Sequence, residues 1–195
     1  MTLSAVFGYG SLVDAASAAR TLGRAVPEPR PARLRGWIRR WSLLRDNLRA
    51  EKTFAIEPGG ELPPFILGLN LERHPDGGAA GPNGALVEVS EAELDRLDLR
   101  EMRYDRVDVT SDVEAPDQPF DLVVAYAAKR GNHAPAAPEG AVVLASYVRA
   151  VEAAFDSLGA GQRDLFRATT EPPPVPVVEG RLVRDEIPEG NPRAW

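Results

Sequence analysis

Strand candidates follow one another through the middle of this chain with no helix between them, and this succession limits the fold more than any other feature. Ala32 to Leu43 reads as one strand, with Leu34 and Ile38 on one side and Trp37, Arg39, Trp41 and Leu43 alternating. Thr53 to Ile56, Phe65 to Leu71 and Ala85 to Val89 continue the series. Tyr104 to Val113, with Val107, Val109 and Val113 on one face, and Leu122 to Ala127 extend it. An open, doubly wound sheet would need helices alternating with strands. The expected class is therefore α+β: a small mixed β-barrel with flanking helices.

Helices are expected in three places. Asp14 to Leu22 is alanine-rich with weak helical spacing. Ser90 followed by Glu93 forms a capping box, and Leu94 and Leu97 give a one-sided stripe that ends near Leu99. Ala141 to Leu158 reads as the longest helix, closed by Gly159. Pro27 to Pro31 is a connector, and His74 to Gly84 and Gly131 to Gly140 are loops. From Glu171 onward, past Pro172-Pro173-Pro174, the chain is extended and wraps or trails. The 195 residues suit one domain, 1–195, with an extended C-terminal segment from about 171.

Composition narrows the function classes. Without cysteine there is no disulfide, thiol nucleophile or cysteine metal site. No apolar run reaches the ~20 residues of a membrane span, and no basic n-region precedes an apolar stretch, so a cytoplasmic protein is expected. Net charge is −6, yet ten basic residues stand against Glu28, Asp46 and Glu51 between Arg20 and Lys52. Such a block could mark a nucleic-acid surface. Overall acidity, and the lack of interleaved aromatics beyond Trp37 and Trp41, favour a solvated face instead. His74 and His133 lie in Gly/Pro-rich loops with no partner at metal-ligand spacing and read as exposed loop histidines.

Near the N-terminus, Leu3, Ala5 and Val6 lead as a strand into Phe7-Gly8-Tyr9-Gly10-Ser11-Leu12. Glycines at 8 and 10 permit tight backbone and close approach of a ligand. The amides of Tyr9 to Leu12 could converge on an anion; the loop could equally be a simple tight turn. A dinucleotide fingerprint fails because Val13 replaces the third glycine, and neither a Gly-Lys-Ser/Thr element nor a nucleophile elbow is present.

Glu101 sits between the capped helix and the strand that opens at Tyr104. Extending that strand's alternation backward gives Glu101 the parity of Val107 and Val109, pointing inward. A carboxylate drawn out of water is suited to proton shuttling. The competing reading is a surface pair with Arg100, Arg103 or Arg106.

Taken together, Phe7-Gly8-Tyr9-Gly10-Ser11-Leu12 and Leu97-Asp98-Leu99-Arg100-Glu101, followed by Tyr104 and Arg106, resemble the γ-glutamylcyclotransferase-like family. Its pattern is a Y-G-S-[LN] loop after the first strand and an L-D-x-x-E stretch closing a helix. Gly36-Trp37 with Arg39 and Arg40 is similar to its second-strand segment, and the likeness runs from about Leu3 to Ala127. The resemblance implies a small mixed barrel with a cavity at one end. It further implies that the backbone of Tyr9, Gly10, Ser11 and Leu12 holds the α-carboxylate of a γ-glutamyl group. Glu101 would be the general acid/base for ring closure to 5-oxoproline, while Tyr104 and Tyr126 line the pocket. It implies neither cofactor nor metal, and a small-molecule γ-glutamyl substrate rather than nucleic acid or membrane. Asp98 would fix the helix end ahead of Glu101. Ser11 could offer its hydroxyl as well as its amide, or cap the following helix. The alternative is a non-catalytic relative that binds a small carboxylate. Two departures stand out: Met102 where many members have glycine, and only a loose echo in Arg184-Asp185-Glu186-Ile187-Pro188 and Asn191-Pro192-Arg193. Leaving group and oligomeric state are not legible in the sequence.

Overall fold

The computed structural model describes residues 3–77, 81–116 and 118–192. The chain opens with β1 (Ser4–Gly8), a 3-10 turn (Ser11–Val13) and α1 (Ala15–Leu22). Five strands follow: β2 (Arg30–Leu34), β3 (Trp37–Asp46), β4 (Lys52–Ile56), β5 (Phe65–Arg73) and β6 (Asn83–Val89). Next come α2 (Glu91–Arg100), β7 (Tyr104–Asp108), β8 (Val113–Glu114), β9 (Leu122–Ala128) and β10 (Ala141–Leu144). The chain closes with α3 (Ala145–Ser157), α4 (Gln162–Ala168), β11 (Val177–Val178) and β12 (Gly180–Asp185).

The strands form a six-stranded sheet, β7-β9-β1-β6-β2-β8, curled as a half-barrel, a four-stranded sheet, β11-β10-β5-β3, and the pair β12-β4. The α+β, barrel-like expectation thus holds, with the wall divided among three sheets. The large sheet is mixed, since β1 runs parallel to β9 and antiparallel to β6. As a central strand, β1 is buried on both faces, and its side chains alternate between two cores. Ala5 and Phe7 join the interior with Trp37, Trp41, Leu69, Phe155 and Phe166. Val6 joins the outer layer, where Ala18 and Leu22 of α1 and Leu94 and Leu97 of α2 pack against the sheet. Gly84 on β6 is required at this point, because a Cβ there would lie 2.3 Å from the Gly8 carbonyl oxygen and 2.5 Å from the Phe7 ring.

Three expectations need correction. Ala32 to Leu43 is not one strand: Gly36, at φ +77°, turns the chain between β2 and β3, which belong to different sheets. A register shift between Arg40 and Leu43 then breaks β3's alternation and buries Trp41, Ser42 and Leu43 in succession. Ala141 to Leu158 is not all helix: Ala141–Leu144 is β10, pairing in parallel with β5 and β11 and wholly buried. Central buried strands lose the polar alternation that would separate them from a buried helix. The strand expected over Tyr104 to Val113 is interrupted by a 3-10 turn at Thr110–Asp112. Helix α4 had no clear sequence signal; its Phe166 stacks on Phe155 with centroids 4.7 Å apart.

The Arg20–Lys52 block is not a solvated face throughout, because Arg39 and Lys52 are buried. Neither histidine is the exposed loop residue expected: His133 is half-buried, its Nε2 3.0 Å from Glu72 Oε1, and His74 is half-buried too, its Nδ1 accepting from the Asp76 amide at 3.1 Å. The C-terminal segment wraps: β12 pairs antiparallel with β4, and Asn191 Nδ2 donates to the Leu99 carbonyl at 3.2 Å. Arg193 lies outside the described residues. Among those described, no helix is long and apolar enough to cross a membrane.

Candidate active site

β1 delivers its glycine loop to one end of the half-barrel. After Gly8 the chain folds back so closely that a Cβ there would stand 3.0 Å from the Leu12 backbone. The Val13 amide donates to the Gly10 carbonyl at 3.1 Å, closing the 3-10 turn. The cap of α1 is Asp14, which accepts from the Ser17 amide at 2.7 Å. Ser11 therefore does not cap that helix. Its Oγ instead accepts from Arg100 Nη2 at 2.9 Å.

Helix α2 brings in the carboxylate. The capping box is present as the sequence predicts, and Leu94 and Leu97 bury against the sheet. Glu101 is the C-cap, its amide still bonded to the Leu97 carbonyl at 2.7 Å, and Tyr104 N closes a turn onto the Glu101 carbonyl. The backward extension of strand parity is therefore wrong, because a turn at 101–103 separates Glu101 from β7. The residue still faces inward: Glu101 and Tyr104 line the same cavity, which unbroken alternation would have forbidden. Glu101 also makes the ion pair the competing reading proposed, Oε1 to Arg100 Nε at 3.1 Å, but with a buried partner rather than on the surface.

A small pocket of about 40 Å³ is lined by Gly8 to Leu12 of the loop together with Glu101, Tyr104, Tyr126 and Tyr147. All seven residues singled out from sequence, Tyr9, Gly10, Ser11, Leu12, Glu101, Tyr104 and Tyr126, meet there. Ser11, Glu101, Tyr104 and Tyr147 also line an adjoining cleft of about 360 Å³, a size typical of small-molecule sites.

The pocket's phenols are tied into the frame. Tyr9 donates to the Tyr126 carbonyl at 2.5 Å and Tyr104 to the Leu69 carbonyl at 2.8 Å. Tyr126 donates to Asp98 Oδ1 at 2.6 Å, while Asp98 Oδ2 lies 3.4 Å from Arg106 Nη2. Asp98 thus ties α2 to β9 and β7 just ahead of Glu101. Burial raises the pKa of Tyr9 well above its usual value, and the charge of Glu101 adds to this. Burial also raises Tyr126, helped by its bond to Asp98. Both hydroxyls stay protonated at neutral pH, and the carboxyl group that lines this pocket is that of Glu101.

Sequence reasoning missed two contributors. Arg100 continues the Leu94–Leu97 stripe by one more three-residue step, a signal that was present, and is buried by it. Its Nη1 reaches Thr21 Oγ1, its Nη2 reaches Ser11 and Ser17 Oγ, and its Nε reaches Glu101. Tyr147 of α3 packs edge-on against Trp41, with centroids 6.0 Å apart, and had no local signal. Among the described residues no three His, Asp or Glu side chains are grouped so as to hold a metal ion.

No protein-family model matches the chain, and no curated protein does. Its fold is similar to that of a structure described as a γ-glutamyl cyclotransferase, with TM-score 0.58, 14% identity, and 88% of this chain and 90% of that one covered. An uncharacterized protein from Homo sapiens gives TM-score 0.56 and 14% identity over 89% and 91% of the two chains. A γ-glutamyl cyclotransferase from yeast, specific to glutathione, gives 0.50 and 13% over 88% and 98%. The likeness is one of fold, shared with γ-glutamyl cyclotransferases.

Proposed function

We propose that the protein is a cyclotransferase that releases 5-oxoproline from a γ-glutamyl amide. The observation that carries this reading is that Glu101 and the Tyr9–Leu12 loop line one small pocket that opens into a larger cleft. In this reading the loop receives the substrate α-carboxylate, and Glu101 takes a proton from the α-ammonium. The freed amine attacks the γ-carbonyl carbon of its own molecule, a new C–N bond closes the five-membered ring, and the amide C–N bond to the leaving group breaks. Glu101 returns its proton to the departing nitrogen, and the second proton that the attacking nitrogen sheds on becoming the ring amide is taken up by the released amine as its ammonium, so no water is consumed. The nucleophile comes from the substrate, and the protein contributes proximity and proton transfer. Tyr104 and Tyr126 shape the walls of the pocket.

Incubation with γ-glutamyl dipeptides, γ-glutamylamines and glutathione should yield 5-oxoproline. Glu101→Gln should lower kcat by about 10²-fold or more; turnover unchanged by this substitution removes Glu101 from the role.

A second reading, a non-catalytic binder of small carboxylates, draws on the Arg100–Glu101 pair, which gives Glu101 a structural use. Saturable binding by calorimetry without product across the whole γ-glutamyl panel would favour it.

A further inference from the structure

Arg39 lies behind the loop rather than in the pocket. It is 0% exposed, the largest wholly buried side chain among the described residues, and it lines neither cavity. Taking a cation out of water is costly, and buried ones are normally paired with a carboxylate. Among the described residues none meets this one. Its Nε donates to Thr170 Oγ1 at 2.7 Å, and its two Nη atoms donate to the carbonyls of Tyr9, Asn83 and Phe166, the Asn83 side chain and Thr169 Oγ1. The carboxylate of the site, Glu101, is already paired with Arg100 at 3.1 Å. One of the Arg39 bonds leads to the loop: Nη1 donates to the Tyr9 carbonyl at 3.3 Å. The Tyr9–Gly10 peptide is planar and trans, so its N–H, on Gly10, points the opposite way. A cation on the carbonyl polarises that peptide and strengthens the N–H as a donor. Gly10 lines the small pocket, and among the described residues nothing accepts from the Gly10 or Ser11 amide. The field of Arg39 also reaches the loop. Burial, then the charge of Glu101, raise the Tyr9 pKa, and the charge of Arg39 pulls it back.

We infer that Arg39 is the fixed countercharge for the substrate α-carboxylate, acting through the Tyr9–Gly10 peptide without touching the substrate. The inference rests on the cyclotransferase reading for what the loop receives. Arg39 is then a positioning residue, and its charge is preorganised: the desolvation is met in folding, and the arriving anion completes the pair. Two ion pairs result, the carboxylate with Arg39 and the α-ammonium with Glu101, and they orient the γ-glutamyl group end for end. The reversed pose would set the carboxylate beside Glu101 and the ammonium before a buried cation.

Thr170 gives access to this charge. It is half-buried, accepts from Arg39 Nε and forms a backbone bridge with Arg39. Thr170→Asp sets a carboxylate against Arg39, and Thr170→Asn is its uncharged match in size; a purely structural role would move both alike. Binding of L-5-oxoproline by calorimetry, kcat and KM for γ-glutamylalanine, and melting temperature are measured for both variants and the parent. Thr170→Asp should bind 5-oxoproline about tenfold more weakly than Thr170→Asn, with a similar rise in KM and less change in kcat. Equal Kd and KM in the two folded variants, with 5-oxoproline still released, would overturn the inference and leave the cyclotransferase reading intact. A charge-dependent Kd with no release from γ-glutamylalanine, γ-glutamylamines or glutathione would overturn that reading and retain the countercharge. Neither binding nor release by the parent would overturn both. A second measurement needs no variant. The Arg39 Nε–H resonance, identified through the Phe166 ring 4.3 Å from its guanidinium, should shift with 5-oxoproline and not with 2-pyrrolidinone, the same ring without the carboxylate. A resonance unmoved at saturating 5-oxoproline, or moved alike by both compounds, would overturn the inference even where Thr170→Asp does not fold.

Discussion

Two arginines grip the loop and its carboxylate from opposite sides. Arg39 is fully buried and donates to the carbonyls of Tyr9, Asn83 and Phe166, the Asn83 side chain, and the hydroxyls of Thr169 and Thr170. All these acceptors are neutral, and the Phe155 and Phe166 rings lie 5.0 and 4.3 Å from the guanidinium. Burial lowers its pKa to about 9, opposed by Tyr9 and Tyr147, so it remains charged at neutral pH. Arg100 does the complementary work from outside the sheet, joining Ser11 of the loop to Glu101 of the helix end. It is a positioning residue, and its planar fork is what spans both partners. Lysine keeps the charge but satisfies one partner at a time. Arg100→Lys should therefore lower kcat for 5-oxoproline release about tenfold, with KM changed less and the melting temperature within a few degrees of the parent. Loss of melting temperature with kcat per folded molecule unchanged would reduce Arg100 to a structural role.

At the scale of elements, α2 decides where Glu101 stands, and its first turn is the part most open to measurement. Ser90 Oγ accepts from the Glu93 amide at 3.3 Å, and Glu93 Oε2 accepts from the Ser90 amide at 2.8 Å. Arg24 adds a bond from Nε to Glu93 Oε1 at 2.5 Å. Burial pushes the Glu93 pKa up, but the Arg24 and Ser90 bonds outweigh it and hold it below the usual 4.5. A carboxyl with a depressed folded pKa adds stability that is present above the unfolded value and lost as pH falls through the folded one. Glu93→Gln should therefore be less stable than the parent at pH 7, and urea midpoints of the two should converge as pH falls below about 4.5. A gap that persists at pH 3 would locate the effect in packing rather than charge.

This helix was legible in the sequence because its signals are local: a cap, a box partner and a stripe within ten residues. Glu101 was found by its place after that helix, although parity was the wrong reason for its orientation. What was not legible depends on partners distant in sequence. Arg39 shares a parity with Trp37 and Trp41, yet only the burial of all three reveals that it belongs to the core. β10 reads as helix because its pairing with β5 and β11 bridges some 76 and 34 positions, respectively, from Val142↔Ile66 and Val143↔Val177. Tyr147 reaches the pocket only once α3 is packed, against Trp41 of β3.

Across the whole molecule, cohesion is unequal, and the weakest wall is the one that faces the cleft. β1 has strand neighbours on both sides and buried side chains on both faces. β12 pairs with β4 alone, its residues are mostly exposed, and a two-stranded sheet is marginal by itself. Side chains supply what the ladder lacks. Arg184 donates to Thr53 Oγ1 at 3.0 Å and to the carbonyls of Leu48 and Ala50 at 2.7 and 3.0 Å. Arg149 and Glu179 form a two-pronged pair at 2.5 and 2.9 Å just before the strand, but at an exposed site where water and salt screen it. Arg184 is thus the main clamp, and Leu182, two residues away, is the cleft wall it holds in place. Local opening should follow this gradient. In native-state hydrogen exchange the amides of β12 and β4 should exchange ahead of those of β1 and β6. Arg184→Ala should speed exchange across 180–185 about tenfold, corresponding to ~1.4 kcal/mol, and leave β1 and β6 unaltered. Equal acceleration in every strand would mean that β12 opens only with the whole fold. The cleft wall would then be as rigid as the core, and selection of the leaving group would owe nothing to movement of the C-terminal strand.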